Sequence, residues 1–291
     1  MLLSSFAKLN LYLRVLNKRR DGYHSISTLF ERISLCDKIF LKSRRDKLIK
    51  ITCSHPDVPL GAANLCYQSA RLLQRRFGLS QGVEIKIIKR IPVGAGLGGG
   101  SSNAANVLMG LNQLWKLHLS QRKLGELAKE IGSDVAFFIF QLPFAQGSGR
   151  GEKIKPLKDL EKLKLWHLLA VPKTKVPTPF IYKKWDSLAK KGGLTTAVSS
   201  VKITTLALVK KDLSLLGGTL FNSLQQATVR FYPEVGKLQE ALRDLGAKAV
   251  LMSGSGPAVF ALCASQKEAL SLSRKLKAFT PSSRIFVVST A

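Results

Sequence analysis

Five glycines fall within one short stretch of the chain, Pro92-Val93-Gly94-Ala95-Gly96-Leu97-Gly98-Gly99-Gly100-Ser101-Ser102. The residues before it, Val83–Ile91, alternate in apolar character and predict a strand, whereas Ser101–Leu117 predicts a helix. Glycines let the backbone approach an anion closely, and the first turn of a helix offers unpaired N–H donors with a partial positive charge. The stretch therefore predicts a phosphate site at a strand-to-helix turn.

The spacing of these glycines differs from the Walker pattern, GxxxxGK followed by Ser or Thr, although it contains the GxGxxG that dinucleotide-binding folds also carry. Ser101 and Ser102 offer hydroxyls to phosphate or to Mg²⁺. A flexible loop ahead of a helix is the alternative interpretation. The number of glycines, directly behind a strand that ends in proline, makes that alternative the weaker one.

A lysine and an asparagine interrupt the apolar N-terminal strand that we predict over residues 3–16. Lys8 and Asn10 are two positions apart, so both side chains project from one face of the strand. If that face is the floor of a cleft, the two side chains meet a substrate. An edge strand with a solvated lysine is the alternative, and the pattern alone favours it.

Two further polar motifs lie later in the chain. Asp134, in Gly132-Ser133-Asp134, precedes the apolar run Val135–Phe140. A carboxylate in this position either caps a helix or serves as a catalytic base on a rigid element, and the motif alone favours capping. The motif Ser253-Gly254-Ser255-Gly256 follows a predicted strand and either closes over phosphate or makes a tight turn.

The composition excludes several classes of protein. Of the 291 residues, 45% are hydrophobic, which is enough for a sizeable core. No apolar run approaches the roughly 18 residues of a membrane span, and the first residues lack a signal-peptide pattern. The four cysteines are too widely spaced for a metal clip or a disulfide scaffold. We therefore expect reduced thiols in a cytoplasmic protein with no membrane partner.

The chain is strongly basic, because 46 Lys and Arg residues outnumber 18 Asp and Glu residues and give a net charge of +28. The excess is divided equally between residues 1–150 and 151–291, unlike the basic tail with which a protein grips nucleic acid. A dispersed excess also attracts small polyanions. The charge pattern disfavours nucleic acid as a partner, and the number of subunits stays open.

Strands and helices are mixed along the rest of the chain, which predicts an α+β fold. Helix caps are predicted at Asn64, Gly78, Ser120 and Gly132. The further strands are predicted over Ser25–Phe30, Arg32–Leu41, Ala249–Met252, Val259–Cys263 and Arg284–Val288, and the later helices near Lys202–Leu216, Asn222–Phe231, Val235–Leu245 and Lys267–Phe279. We expect a domain change within residues 150–180, which divides the chain into domains of residues 1–155 and 156–291.

Taken in order, these motifs resemble the GHMP small-molecule kinases: a Lys/Asn strand, the glycine-rich loop, an aspartate and a late S-G-S-G. One branch of that family is particularly similar, because it shares the stretches Arg20-Asp21-Gly22-Tyr23-His24, Gly98–Ala105 and Val176-Pro177-Thr178-Pro179. The resemblance runs from about residue 4 to residue 288. It implies two α+β lobes, the N-terminal one binding ATP, with the active site in the cleft between them.

The resemblance also implies an activity: transfer of a phosphoryl group from ATP, with Mg²⁺, to a hydroxyl of an alcohol that carries a cytidine diphosphate group. It gives the catalytic positions to Lys8, which stabilises the transferring charge, and Asp134, which guides the hydroxyl proton. The ATP phosphates go to the loop of residues 92–102, and Mg²⁺ is expected to come with ATP rather than to be held by the protein alone. The substrate-binding positions are Asn10, Tyr23, His24, Phe30 and Tyr182.

Two segments depart from the family pattern. The family often has Gly-Ala-Asp-Val-Pro where this chain has Gly132-Ser133-Asp134-Val135-Ala136, so Ser133 replaces alanine and Ala136 replaces proline. Both replacements are small enough to keep the path of the backbone. Ala95 stands where glycine is frequent, and its Cβ restricts φ, so the family pattern does not define the exact shape of the loop here.

Two other functions remain as alternatives. One is a sister kinase of the same family that acts on another alcohol, such as homoserine or mevalonate; the aromatic residues near positions 23–30 and at 182 distinguish the two. The other is an RNA-binding protein, because some ribosomal and translation proteins share the topology of the N-terminal lobe. No aromatic-basic RNA motif supports that reading.

Overall fold

The computed structural model describes residues 1–190, 192, 193, 197 and 199–291. In that part of the chain the strands are β1 Leu2–Lys18, β2 His24–Arg44, β3 Ile49–Cys53, β4 Gly82–Ile88, β5 Phe144–Ser148, β6 Lys153–Pro156, β7 Trp166–Val171, β8 Phe221–Asn222, β9 Ala249–Met252, β10 Val259–Cys263 and β11 Arg284–Ser289. The helices are α1 Leu65–Phe77, α2 Gly99–Leu114, α3 Gln121–Ile131, α4 Val135–Ile139, α5 Thr178–Ala189, α6 Val201–Lys210, α7 Leu213–Thr219, α8 Gln225–Phe231, α9 Pro233–Asp244 and α10 Gln266–Phe279. The predicted α+β class is confirmed.

Two sheets organise the molecule. The larger sheet has the order β3-β4-β2-β1-β8, with β5 paired to β2 and β6 to β5, and the smaller, antiparallel sheet has the order β11-β7-β10-β9. The short strand β8 comes from the second half of the chain and pairs in parallel with β1 at Tyr12 and Leu13. The predicted domain change at residues 150–180 spans the connection from β6 to β7, and the division into two domains stays a prediction.

The second strand is longer than its sequence pattern indicates. Two strands, Ser25–Phe30 and Arg32–Leu41, were expected, and this is wrong because β2 runs unbroken through Glu31. Glu31 interrupts the apolar pattern, yet it is fully buried. Its carboxylate lies 2.9 Å from His167 Nε2 of the smaller sheet and accepts a hydrogen bond from Thr290 at 2.7 Å. The sequence pattern suggested that Glu31 is exposed to solvent. Its carboxylate instead contacts polar side chains from distant segments of the chain.

The helix caps follow the sequence closely in the first half of the chain. The side chains of Asn64 and Ser120 accept backbone hydrogen bonds at the starts of α1 and α3, and Gly78 ends α1 in the left-handed conformation. The predicted helix Lys202–Leu216 is wrong in extent. It is divided into α6 and α7 at Lys211, where φ is 53° and the side chain of Asp212 caps the next helix.

The apolar side chains of β2 and β4 pack beneath the first four helices and form one core, while a second core joins β1 to the smaller sheet. Leu9 and Leu11 of β1 are fully buried in that second core. The face of β1 that carries these side chains is therefore closed to solvent. Within the described ranges, no helix has the length and apolar character needed to cross a bilayer.

Candidate active site

The glycine-rich stretch leads from β4 into α2 along the wall of a cavity of about 1000 Å³. Gly94, Gly96 and Gly98 have φ values of 68°, 75° and 66°, a left-handed conformation that glycine adopts without steric cost. Ala95 lies between them without a positive φ, and its carbonyl accepts a hydrogen bond from Ala258 N at 3.3 Å. Alanine is therefore compatible with this loop, because position 95 does not adopt the left-handed conformation of its two glycine neighbours.

The loop is fixed by contacts on both flanks. Ser253 Oγ donates to Gly96 O at 3.1 Å, and Lys8 N donates to Leu97 O at 3.0 Å. A Cβ at position 96 would lie 2.2 Å from the carbonyl oxygen of Ser253. The late S-G-S-G motif is thus the surface against which the loop packs, with Gly254 and Ser255 reaching the cavity. These contacts argue against a flexible loop.

The two serines at the start of α2 have different surroundings. The N-cap residue of α2 is Gly98, which has no side chain to cap the helix, so the first N–H groups lack a side-chain partner there. Ser101 lines the cavity. Ser102 is fully buried, and its hydroxyl is bonded to Ser5 Oγ at 2.7 Å. The expected contact of Ser102 with phosphate or Mg²⁺ therefore does not fit this geometry, whereas that of Ser101 does.

A buried ion pair that the sequence analysis missed holds the entrance of the loop. Asp37 is fully buried and accepts backbone hydrogen bonds from Arg90 at 2.7 Å and Ile91 at 2.9 Å. It also accepts one from Asn103 Nδ2 at 2.9 Å and pairs with Lys89, which lines the cavity. No local motif marks Asp37, because its partners lie more than 50 residues away. The network fixes the backbone immediately before the glycines.

Lys8 and Asn10 lie on the same face of β1, as the two-residue spacing predicts. Lys8 Nζ donates to Asn10 Oδ1 and lies 3.3 Å from Asp134 Oδ2. Asn10 Nδ2 in turn donates to Thr28 Oγ1 at 2.8 Å, which fixes the amide orientation. Lys8 is only 4% exposed, so the solvated edge lysine favoured by the pattern alone is wrong. A buried ammonium paired with a carboxylate is instead fixed at the cavity wall.

The capping role that the local motif favours for Asp134 is also wrong. Asp134 stands at the N-cap position, directly before α4, but its side chain makes no capping hydrogen bond. The carboxylate is turned toward Lys8 instead, with its side chain 30% exposed where it lines the cavity. An accessible carboxylate held by a buried lysine can accept a proton from a bound hydroxyl.

An aromatic cluster lines another part of the cavity. The ring of His24 stacks on Tyr182, with centroids 5.2 Å apart and planes at 26°, and meets Trp185 edge-on at 5.7 Å. Burial, together with the charge of Asp134, raises the pKa of Tyr182 above its ordinary range, so its phenol stays neutral. His24, Tyr182 and Asp186 all line the cavity. The sequence analysis named the first two and missed Trp185 and Asp186, which carry no motif.

Two other predicted substrate positions differ in their surroundings. Tyr23 lines the cavity, is 55% exposed, and lies beneath the Arg150 guanidinium at 4.9 Å. Phe30 is fully buried, stacks on Phe137 and does not line the cavity. The expected contact of Phe30 with the substrate therefore does not fit its position. The ring instead lies 5.3 Å from Lys8 Nζ and packs against the lysine on the side away from the cavity.

The remaining wall of the cavity comes from the segment before α1, from the start of α1 and from β4, and the sequence analysis gave it no binding role. Its members combine apolar and polar side chains: Val58, Pro59, Ala63, Asn64, Leu65, Cys66 and Ile87. Burial raises the pKa of the Cys66 thiol to about 12, so this wall is uncharged at that position. Such a mixed, mostly apolar surface suits a flat heterocycle.

Contacts between adjacent residues show the order in which the glycine loop, the Lys8–Asp134 pair and the aromatic cluster lie along the cavity. A Cβ at Gly98 would lie 3.0 Å from Lys8 Cγ, so the loop directly adjoins the lysine. Lys8 pairs with Asp134, and the charge of Asp134 acts on Tyr182, which stacks on His24. The Lys8–Asp134 pair therefore lies between the glycine loop and the aromatic cluster. This is the arrangement needed to pass a group from a molecule held by the loop to one held by the aromatic rings.

The fold belongs to a class of two-lobed small-molecule kinases. A solved structure titled homoserine kinase, from Cytophaga hutchinsonii, superimposes with a TM-score of 0.71 over 98% of this chain and 94% of its own, at 21% identity, which shows the fold alone. A solved 4-(cytidine 5'-diphospho)-2C-methyl-D-erythritol kinase superimposes with a TM-score of 0.82 at 33% identity, over 99% of this chain and 98% of its own.

Sequence comparisons agree with the fold. The GHMP kinases N terminal domain matches residues 64–141, and the GHMP kinases C terminal domain matches residues 204–282. A curated relative from Shouchella clausii (strain KSM-K16), named 4-diphosphocytidyl-2-C-methyl-D-erythritol kinase, is 41% identical over 88% of this chain and 83% of its own length. The chain belongs to the GHMP kinase family.

Proposed function

We propose that this chain transfers a phosphoryl group from ATP to the 2-hydroxyl of 4-diphosphocytidyl-2-C-methyl-D-erythritol and gives the 2-phosphate, a step of isoprenoid precursor biosynthesis. The observation that carries the proposal is the Lys8–Asp134 pair, 3.3 Å apart, between the glycine loop and the aromatic cluster of one cavity. The relatives named for this substrate, which match most of the chain, support it.

The glycine loop is suited to the phosphates of ATP. A Cβ at Gly99 would lie 3.1 Å from Lys89 Nζ, and the side chain of Lys89 lines the same cavity. Backbone N–H groups at the start of α2 then meet an anion without an intervening side chain. The mixed wall around Cys66 is the surface on which we place the adenine ring, because it adjoins Lys89 and the loop.

Magnesium is expected to accompany the ATP. In the described part of the chain, no group of three or more His, Cys, Asp or Glu residues is placed to hold a metal ion. Phosphate oxygens would thus supply most of the ligands, with the Ser101 hydroxyl at the cavity wall as a protein ligand. Bound Mg²⁺ supplies neutralisation of the phosphate charge.

The chemistry of the protein itself centres on two side chains. Asp134 accepts the proton of the acceptor hydroxyl as that oxygen attacks the γ-phosphorus of ATP; the bond from this phosphorus to the β–γ bridging oxygen breaks, and ADP leaves. Lys8 stabilises the charge on the transferring group. Asn10 and Phe30 keep Lys8 in place. Most of the rate enhancement comes from positioning and electrostatics, as in other phosphoryl transfers.

The aromatic cluster is suited to the cytosine of the substrate. Stacking on an aromatic face contributes about 1–3 kcal/mol per base. Tyr182 stacks on His24 here, and Tyr23 lies beside the same cavity under Arg150. Lys18, Lys183 and Arg150 line this region as well and provide positive charge for the diphosphate. Neither homoserine nor mevalonate has a base for such a surface, so the sister-kinase alternative leaves the cluster unexplained.

The cysteines support a cytoplasmic location for the protein. All four are free thiols, and Cys66 and Cys263 are buried. Unpaired cysteines are typical of a reducing compartment, and we place the enzyme in the cytoplasm.

The nature of the product tests the proposed reaction. The chain is incubated with ATP, Mg²⁺ and 4-diphosphocytidyl-2-C-methyl-D-erythritol, and the products are followed by phosphorus NMR. We expect one new phosphate monoester on the 2-oxygen, formed in step with ADP, while the cytidine diphosphate group stays intact. ADP formation without a new monoester, or phosphorylation at another oxygen, would contradict the proposal.

Substitution at Gly100 tests the phosphate loop. A Cβ there meets nothing closer than Leu65 Cδ1 at 3.9 Å, so Gly100→Val leaves the free protein intact. The added side chain lies on the cavity wall, and we expect ATP affinity to fall at least about tenfold by calorimetry. The control is Gly218→Val in α7, which also has open space around its Cβ. Unchanged ATP affinity in Gly100→Val would place the phosphates elsewhere.

Truncation of the aromatic cluster tests the cytosine site. Tyr182→Ala and His24→Ala are each expected to raise KM for the cytidine-bearing alcohol about tenfold or more, because a stacking surface is lost, while ATP affinity stays the same. Tyr232→Ala is the matched control, since Tyr232 packs on Phe180 and does not line the cavity. Equal KM values in all three variants would show that the cytosine does not bind at this cluster.

A further inference from the structure

Asp186 contacts both strands of the β1–β2 hairpin, next to the turn that connects them. It lies on α5, whereas Lys18 ends β1 and His24 begins β2. Lys18 Nζ donates to Asp186 Oδ2 at 2.9 Å, and His24 Nε2 lies 2.6 Å from Asp186 Oδ1. One carboxylate from the second half of the chain therefore fixes both the hairpin and the imidazole ring.

The charge state of Asp186 decides which nitrogen of His24 carries the proton. Burial raises the pKa of Asp186, but the hydrogen bonds and charges of Lys18 and His24 outweigh it and hold that pKa below its ordinary value. The carboxylate is therefore ionised at neutral pH and accepts hydrogen bonds only. His24 Nε2 must then carry a hydrogen, and in the neutral ring Nδ1 keeps its lone pair.

The surroundings of the second ring nitrogen, Nδ1, differ from those of Nε2. His24 Nδ1 has no hydrogen-bond partner among residues 1–190, 192, 193, 197 and 199–291. The polar atoms that are both completely buried and without a partner do not include Nδ1, so this nitrogen is accessible. The ring itself is held on two sides, by stacking on Tyr182 and by the edge contact with Trp185, and its side chain is only 4% exposed. The ring that carries this acceptor is thus rigidly held, and His24 lines the cavity.

We propose that Asp186 is a specificity-determining positioning residue, which makes the site select cytosine over uracil by holding His24 as the Nε2–H tautomer with Nδ1 as the acceptor. This inference rests on the proposed cytidine-bearing substrate. Cytosine has an amino donor at ring position 4, where uracil has a carbonyl acceptor. The lone pair of Nδ1 accepts a hydrogen bond from the amino group of cytosine. With uracil, Nδ1 and the carbonyl oxygen at position 4 face each other as two acceptors, and no donor lies between them.

Asp186→Asn removes this control with little change of shape. The amide oxygen can still accept from Nε2–H, but the amide nitrogen can instead donate to Nε2 and move the ring proton to Nδ1. The second arrangement presents a donor to the uracil oxygen. We expect the wild-type protein to prefer the cytidine-bearing over the uridine-bearing alcohol by about 100-fold in kcat/KM, and the preference to fall at least about tenfold in Asp186→Asn.

The loss of preference separates this role from a merely structural one. A structural defect lowers kcat/KM for both alcohols alike, whereas a tautomer change lowers it for the cytidine compound and raises it for the uridine compound. Asp46→Asn is the matched control, because Asp46 is an exposed carboxylate that pairs with Arg44 and does not line the cavity. An unchanged ratio in Asp186→Asn would overturn the inference.

Nitrogen NMR of the histidine rings gives an independent test on the wild-type protein, which holds even if Asp186→Asn fails to fold. The chain has four histidines, and the signals of His24 are assigned by their loss in His24→Gln. We expect a protonated Nε2 and an unprotonated Nδ1, with a shift of the Nδ1 signal on addition of CDP and a smaller one with UDP. A proton on Nδ1 would overturn the inference alone, whereas failure to bind CDP would overturn the cytidine site as well.

Discussion

Asp134→Asn is expected to lower kcat by about 10²–10⁴-fold while KM for ATP and for the alcohol changes little, as for the loss of a general base. Asparagine has the same shape as aspartate but does not take up a proton at neutral pH. Asp134 makes no capping bond to α4, so its loss removes no helix contact. Single-turnover measurements of phosphoryl transfer show whether the loss falls on the chemical step.

A nearby change of the same kind serves as the control. Glu130 lies on α3 and pairs with Arg76 at 2.8 Å on the exposed surface, away from the residues that line the cavity. Glu130→Gln is expected to keep wild-type turnover, because exposed ion pairs contribute little. If Asp134→Asn also turns over at nearly the wild-type rate, the hydroxyl proton leaves by another route and Asp134 is not its acceptor.

Lys8→Met is expected to lower kcat by about 10²–10³-fold, since it removes the positive charge beside the transferring group but keeps an unbranched side chain. Lys8→Ala is expected to be comparably damaging. ATP affinity should change less than kcat, because the backbone N–H groups of the glycine loop remain. The measurement is the comparison of kcat with the Kd for ATP, with circular dichroism to show that each variant folds.

Lys38 offers a matched lysine on the same sheet. Its ammonium donates to Ser4 Oγ at 2.8 Å, and its side chain does not line the cavity. Lys38→Met should therefore retain activity. Wild-type turnover in Lys8→Met would show that the Lys8–Asp134 pair only joins β1 to the start of α4 and takes no part in the transfer.

Local chemistry made much of the site predictable. The two-residue period of a strand brings Lys8 and Asn10 to one face, and the observed contact between them follows directly. A run of glycines between a strand and a helix marks the loop, where three of them adopt positive φ. The caps Asn64 and Ser120 act within three residues of their positions. Each of these features depends on near neighbours in the chain.

Contacts between distant segments explain what the sequence pattern missed. Asp186 meets His24 across 162 residues, and Asp37 meets Lys89 across 52, with no local signal for either pair. The continuity of β2 involves His167 and Thr290, which both contact Oε1 of the buried Glu31. The role of Asp134 is misjudged locally for the same reason, since its partner Lys8 comes from the first strand. Such long-range pairs become visible only in the folded chain.

The most direct test of the proposed function compares kcat/KM for alcohols with and without the cytidine diphosphate group. ATP consumption is measured with 4-diphosphocytidyl-2-C-methyl-D-erythritol, free 2-C-methyl-D-erythritol, homoserine and mevalonate under identical conditions. We expect the cytidine-bearing alcohol to exceed each of the others by at least about 100-fold, because stacking and diphosphate contacts position its hydroxyl beside Asp134. Equal or faster reaction of any alcohol that lacks the cytidine diphosphate group would contradict the proposed function.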